Sequence, residues 1–125
     1  MPVTYRVDED VLELTFSGEC PPDEVIQTFH DALDDPACPP KFALFVDVRK
    51  STSLATRPTP DIIRVAEYLG PHKNRVARCA VLATEDVHFG LSRLGAVYSE
   101  AKGVVTNVFR DRDEAIAWLR ATPPA

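Results

Sequence analysis

Residues 42–46, Phe-Ala-Leu-Phe-Val, form an unbroken apolar run rich in β-forming side chains. A strand built from such a run has no face to offer water. It belongs at the centre of a sheet, covered on both sides. Asp47 breaks the run, and Arg49, Lys50, Ser51, Thr52 and Ser53 follow as a polar loop. In open α/β sheets binding sites gather beyond the carboxyl ends of the strands, so this loop is the first candidate surface.

The flanking segments supply the layers. Val3–Val7 and Val11–Phe16 alternate apolar and polar residues around Asp8, Glu9 and Asp10, the pattern of an antiparallel hairpin. Pro21, Pro22, Asp23 and Glu24 open a helix, and Val25, Ile26, Phe29, Ala32 and Leu33 keep helical spacing on one face. Asp34, Asp35 and Pro36 stop it. Beyond the polar loop, Thr59 is placed to cap a second helix with Pro60 at its first position. Ile62, Val65, Ala66 and Leu69 are its buried stripe, and Gly70-Pro71 ends it.

Arg75–Leu82 reads as the next strand. Thr84 or Asp86 caps a third helix, with Val87, Leu91, Leu94 and Tyr98 recurring at i, i+4, i+7 and i+11. Gly90 and Gly95 within it weaken the helix unless close packing needs them. Val104–Phe109 is the last strand. Asp111, Arg112, Asp113 and Glu114 form a capping box ahead of a fourth helix carrying Ile116, Trp118 and Leu119.

The order β-β-α-β-α-β-α-β-α defines an α/β fold: a mixed, mainly parallel sheet of about five strands with an N-terminal antiparallel hairpin and four helices. The 125 residues suit one domain, 1–125. A net charge of −5 argues against nucleic acid as a partner. The local cations Lys73, Arg75 and Arg78 read as a solubilising rim. No apolar stretch approaches a membrane span, and the N-terminus lacks a signal-peptide layout, so the default location is cytoplasmic. Cys20, Cys38 and Cys79 are odd in number and widely spaced, which implies neither a disulfide framework nor a zinc site. No histidine pair has metal-ligand spacing, and no cofactor is expected.

Asp47, Arg49, Ser51 and Ser53 admit two readings. They are a polar binding loop, or a turn whose carboxylate and hydroxyls serve the local backbone. Thr59 is a helix cap, and a phosphate there would meet a favourable helix dipole. His88, in the first turn of the third helix, either faces a ligand at the same sheet edge as Asp47 or is an exposed or satisfied histidine. His30 and His72 sit near charges and loops. The Gly90–Gly95 spacing marks a close-packing surface against the sheet or a second subunit. The sequence offers no nucleophile–base pair and none of the common catalytic or phosphate-binding motifs, so no enzyme is expected.

Two segments carry a family resemblance: Asp86-Val87-His88-Phe89-Gly90-Leu91-Ser92-Arg93, and the ending Val108-Phe109, a charged turn, then Glu114-Ala115-Ile116-Ala117-Trp118-Leu119. With the element order, they make the chain resemble the SpoIIAA-like family, a branch of the STAS-like (sulphate transporter and anti-sigma factor antagonist) superfamily. The resemblance implies a regulatory module that binds a protein partner. In the anti-sigma factor antagonists a serine in an Asp-Ser-Ser-Gly-like motif at the start of the helix after the central strand is the phosphorylation switch. Residues 55–61 here carry neither the Asp-Ser pair nor the glycine, and Thr59 is the hydroxyl at the helix start. Likeness to Sec14-type lipid-binding domains implies an alternative: a small apolar ligand or lipid, held by residues such as Phe45, Val87, Leu91, Tyr98 and Phe109. A homodimer through the third helix or an edge strand is compatible with both.

Overall fold

The structure, a computed structural model, describes residues 2–56 and 58–121. Its elements follow the expected order: β1 (Val3–Asp8), β2 (Val11–Gly18), α1 (Pro22–Asp34), β3 (Phe42–Ser51), α2 (Thr59–Glu67), β4 (Val76–Leu82), α3 (Asp86–Ala101), β5 (Thr106–Phe109) and α4 (Arg112–Arg120). Short 3₁₀ turns at Leu54–Thr56 and Gly70–His72 flank α2.

The strands lie side by side in chain order, β1-β2-β3-β4-β5, so β3 is the middle strand. β1 and β2 are antiparallel, with Val3 opposite Phe16 and Asp8 opposite Val11. β2 through β5 are parallel. Right-handed crossovers that all step in one direction place their helices on one face. Phe29 of α1, Ile62 of α2 and Leu91 of α3 accordingly share one apolar cluster with Phe42, Leu44 and Val48 of β3. α4 comes after the last strand and covers the other face, where Ala115 and Leu119 pack on Ala43, Phe45, Ala80 and Leu82. The run 42–46 thus feeds two cores in alternation, which is why it is apolar throughout. α4 reaches β3, β4 and β5. Toward the hairpin this face turns polar: Thr4, Arg6 and Asp8 of β1 are exposed, and Glu13 and Thr15 of β2 are partly so.

Four local expectations need correction. β3 does not end at Asp47. Beyond an irregularity in β2, Ser17 pairs with Lys50 and Gly18 with Ser51, so Arg49 and Lys50 lie on a strand and the loop begins at Thr52. Thr59 is the first helical residue of α2, and Pro58 holds the cap position with no side-chain cap bond. Proline has no side-chain oxygen to accept a cap bond, and the Ile62 N–H, three residues beyond Thr59, goes to the Pro58 carbonyl at 3.4 Å. The Asp61 N–H is taken by the Pro58 carbonyl at 3.0 Å. α3 likewise starts from Glu85, without a side-chain cap from Thr84 or Asp86.

The fourth correction concerns the buried face of α3. Its buried residues are His88, Ser92 and Ser99, while Val87 and Val97 are 48% and 65% exposed. The stripe 88, 92, 95, 99 has the same spacing as 87, 91, 94, 98 but is moved by one residue, a rotation of about 100° about the helix axis. Gly95 sits on this inward stripe, where a Cβ would stand in ordinary contact, 3.6 Å from Ile62 and 3.9 Å from Ala66 of α2. Gly90, by contrast, faces open space. At α4 the expected cap is present, with Asp111 accepting from the Glu114 N–H at 3.2 Å.

Candidate functional site

A cavity of about 120 Å³ lies between the sheet and α1–α3. Leu14, Leu44, Val46 and Val81 form its floor, and Val25, Phe29, Ile62, Leu91 and Gly95 part of its roof. It exists because α3 turns Ser92, Gly95, Ala96 and Ser99 toward the sheet. Four small side chains in a row do not fill the space that leucines would occupy. The Ser99 hydroxyl donates to the carbonyl of Ala66, 3.3 Å away, with the Gly95 carbonyl also at 3.3 Å. With the Ser99 hydroxyl so occupied, the wall is mainly apolar, though Ser92 and Thr106 also line it. An apolar void offers water too few partners to hold it, whereas an apolar guest loses nothing on entering.

A shallower depression lies outside, between α1 and α2, lined by Ile26, Pro60, Ile63, Arg64, Glu67 and Tyr68. It shares Ile26 and Tyr68 with the wall of the cavity. Arg64 of α2 pairs there with Asp23 of α1.

Of the five residues expected to line an apolar pocket, Leu91 alone is in this wall. Phe45 alternates away from Leu44 and Val46 and lies in the α4 core under Arg112, whose guanidinium carbon is 4.9 Å from the ring centre. Phe109 packs on Trp118 in the same core, with ring centres 5.6 Å apart. Val87 is exposed and Tyr98 only half-buried, because the inward stripe of α3 is one residue further on.

The polar candidates are not brought together either. Asp47 points away from the cavity, since Val46 and Val48 line it from either side in the strand. Arg49 grips it with a two-pronged pair, Nε to Oδ1 at 3.0 Å and a terminal nitrogen to Oδ2 at 2.8 Å. The Arg49 backbone N–H adds a third bond at 3.0 Å. Burial pushes the Asp47 carboxyl upward, but the Arg49 bonds outweigh it and hold the group below its ordinary range. Ser51 accepts the Leu54 N–H at 3.2 Å, and Ser53 accepts the Cys20 N–H at 3.0 Å. The Ser51 hydroxyl serves its own loop, whereas Ser53 ties that loop to the backbone ahead of α1. Thr59 is exposed at the start of α2.

His88 is neither exposed nor satisfied. It is 4% exposed, its Nε2 lies 3.9 Å from Glu85, and no described residue hydrogen-bonds its Nδ1.

The sequence reading missed an ionic network on the α4 face. Arg112 grips Glu13 with two bonds of 3.1 Å, and Arg6 adds a third of 3.1 Å. Burial raises the Glu13 carboxyl, and the two arginines bring it below its usual value. One signal pointed to this: Arg112 opens α4 against the helix dipole, a position a cation takes only for another partner. Of the three cations expected on a rim, Lys73 is exposed, while Arg75 and Arg78 are consumed internally. Arg75 donates to the carbonyls of Leu33, Pro39 and Pro40 at 3.0–3.1 Å. Arg78 donates to the Trp118 carbonyl at 2.7 Å and stacks on its ring.

Among the described residues no cluster of histidine, cysteine and acidic side chains could hold a metal, and no helix is long and apolar enough to cross a membrane. The three cysteines are buried, and burial pushes the Cys79 thiol up to about 12.

No curated protein matches the chain. Among solved structures it is similar to an uncharacterised protein with a SpoIIAA-like fold from Shewanella loihica PV-4, at 15% identity and a TM-score of 0.59 over 94% of this chain and 91% of the other. At that identity the likeness speaks for the fold. A model of the SpoIIAA-like family matches residues 11–120, from β2 through α4, and the chain belongs to that family.

Proposed function

We propose that this chain is a non-catalytic binding module whose ligand is a small apolar molecule seated between the sheet and α1–α3. The observation that carries this reading is the inward face of α3, where Ser92, Gly95, Ala96 and Ser99 leave an apolar cavity of about 120 Å³. A void of this kind costs stability when empty, so its persistence favours an occupant. An engineered apolar cavity of about 150 Å³ in another protein accepts benzene, which sets the scale. Native mass spectrometry of freshly purified protein, followed by thermal scans with benzene, indole and short alkanols, tests the proposal. Binding to the native state alone adds about 2.7 kcal/mol at a ligand concentration of a hundred times Kd. A co-purified adduct or a concentration-dependent rise in Tm is expected. A protein that carries none, and whose Tm no apolar compound moves, refutes it.

A second reading, a regulatory contact with a protein partner or a second copy, is supported by the exposure of Val87 and Val97 on the outward face of α3. Exposed apolar positions on one helix face are the usual material of an interface. Val97→Lys should abolish any self-association seen by sedimentation, or any partner captured from a native lysate. Monomer at high concentration and no stoichiometric partner for the wild type would end this reading.

A further inference from the structure

The cavity is too small to hold more than about six carbon atoms, by comparison with the void of about 150 Å³ that takes one benzene. A longer guest must continue outward. The wall leads to the seam between α1 and α2, because Ile26 and Tyr68 border both the cavity and the outer depression. On the opposite side α2 is fastened to α3, through the Ser99 hydroxyl on the Ala66 carbonyl and through Lys102 on Glu67 at 3.3 Å. Across the seam the polar tie is Arg64 to Asp23, whose side chains are 54% and 82% exposed.

The two members of that tie are not equally replaceable. Asp23 stands in the first turn of α1, where free N–H groups and the helix dipole favour a carboxylate on their own. Releasing Arg64 therefore costs Asp23 little. Glu67, the other acid of the depression, keeps Lys102. Arg64 is left as a cation in the outer depression, across Ile26 and Tyr68 from the cavity, with a partner that another anion can displace. From this geometry we infer that the ligand is a single-chain amphiphile with an anionic head, of the fatty-acid type. Its tail enters past Ile26 and Tyr68, and its carboxylate takes the place of Asp23 on Arg64.

This inference rests on the apolar-ligand reading above, and its test separates the two. Octanoate, 1-octanol and octylamine share one tail and differ in head, and calorimetry at neutral pH compares their Kd values for the full chain. Octanoate should bind more tightly than octanol by roughly two- to five-fold, the range of an exposed ion pair. Arg64→Gln should erase that advantage and leave octanol unchanged, and Arg64→Lys should retain part of it. Asp23→Asn should increase octanoate affinity by a smaller factor, about two-fold or less, since the competitor it removes holds Arg64 only weakly. Equal binding of octanoate and octanol, tighter binding of octylamine, or an octanoate advantage that survives Arg64→Gln overturns the anionic head while leaving the cavity reading intact. Failure of all three compounds overturns both.

Discussion

Replacing Gly95 by alanine should stabilise the protein and shrink its cavity together. A methyl group at that position meets Ile62 at 3.6 Å and Ala66 at 3.9 Å, ordinary van der Waals distances, so neither neighbour has to move. Two contributions follow. Removing a glycine from a helix interior is worth about 1 kcal/mol, and burying one carbon adds about 0.8 kcal/mol. Gly90 provides the internal control, because nothing lies within 4 Å of its missing Cβ. Gly90→Ala gains the helix contribution alone, about 1 kcal/mol. In a domain of this size each kcal/mol raises Tm by about 3–5 °C, so the expected rises are about 7 °C for Gly95→Ala and about 4 °C for Gly90→Ala. Scanning calorimetry on both variants, with urea titration to confirm an unchanged m-value, makes the comparison. If Gly95→Ala falls below the wild type, or gains no more than Gly90→Ala, the methyl has not entered a void. The account of the cavity as a product of small residues on α3 would then be wrong.

Other perturbations test other parts of the structure. His88→Leu removes a buried nitrogen with no described partner and should add about 1 kcal/mol by urea denaturation, the low end of the cost of an unsatisfied polar group. A loss of similar size would show that the imidazole is bonded after all. Asp47 has a depressed folded-state pKa, so its contribution is complete above the ordinary carboxylate range near pH 4 and disappears as pH falls through the lower folded value. The stability gap between wild type and Asp47→Asn should therefore be flat at neutral pH and close in acid; a gap that widens on acidification contradicts this. Arg75→Ala strips three carbonyls of their shared donor and should cost about 2–3 kcal/mol. Arg75→Lys should recover only part, because an ammonium cannot reproduce the fork. A loss below about 0.5 kcal/mol would reduce Arg75 to a surface cation.

The sheet was legible because its signals are independent of tertiary contact. The run 42–46 marked the middle strand, alternation in residues 3–16 marked the hairpin, and Pro22 and the Asp111–Glu114 box marked two helix starts in register. What failed depended on partners. The end of β3 is set by pairing with Ser17 and Gly18, which its own polar residues cannot announce. The buried face of α3 is set by its packing against α2, where Ile62 and Ala66 lie over Gly95, and is not the more apolar stripe one residue earlier. That rotation took Val87 and Tyr98 out of the wall, while Phe45 and Phe109 belong to the α4 core on the other face of the sheet. Asp47 and Arg49, the leading polar candidates, satisfy each other, and the cations at 75 and 78 found carbonyls that no sequence pattern displays.

The grip of Arg112 on Glu13 joins residues 99 positions apart. During synthesis at about 5–20 residues per second, that separation is a wait of roughly 5–20 s. Throughout it the nascent sheet can bury Phe42 and Leu44 beneath the crossover helices as they emerge. Ala43, Phe45 and Leu82 face outward with no helix to cover them. Arg6 and Glu13, paired across the hairpin, then stand beside this bare apolar strip as charges on a surface otherwise inviting to another chain. The carboxylate that later anchors α4 thus first serves as a guard against premature association.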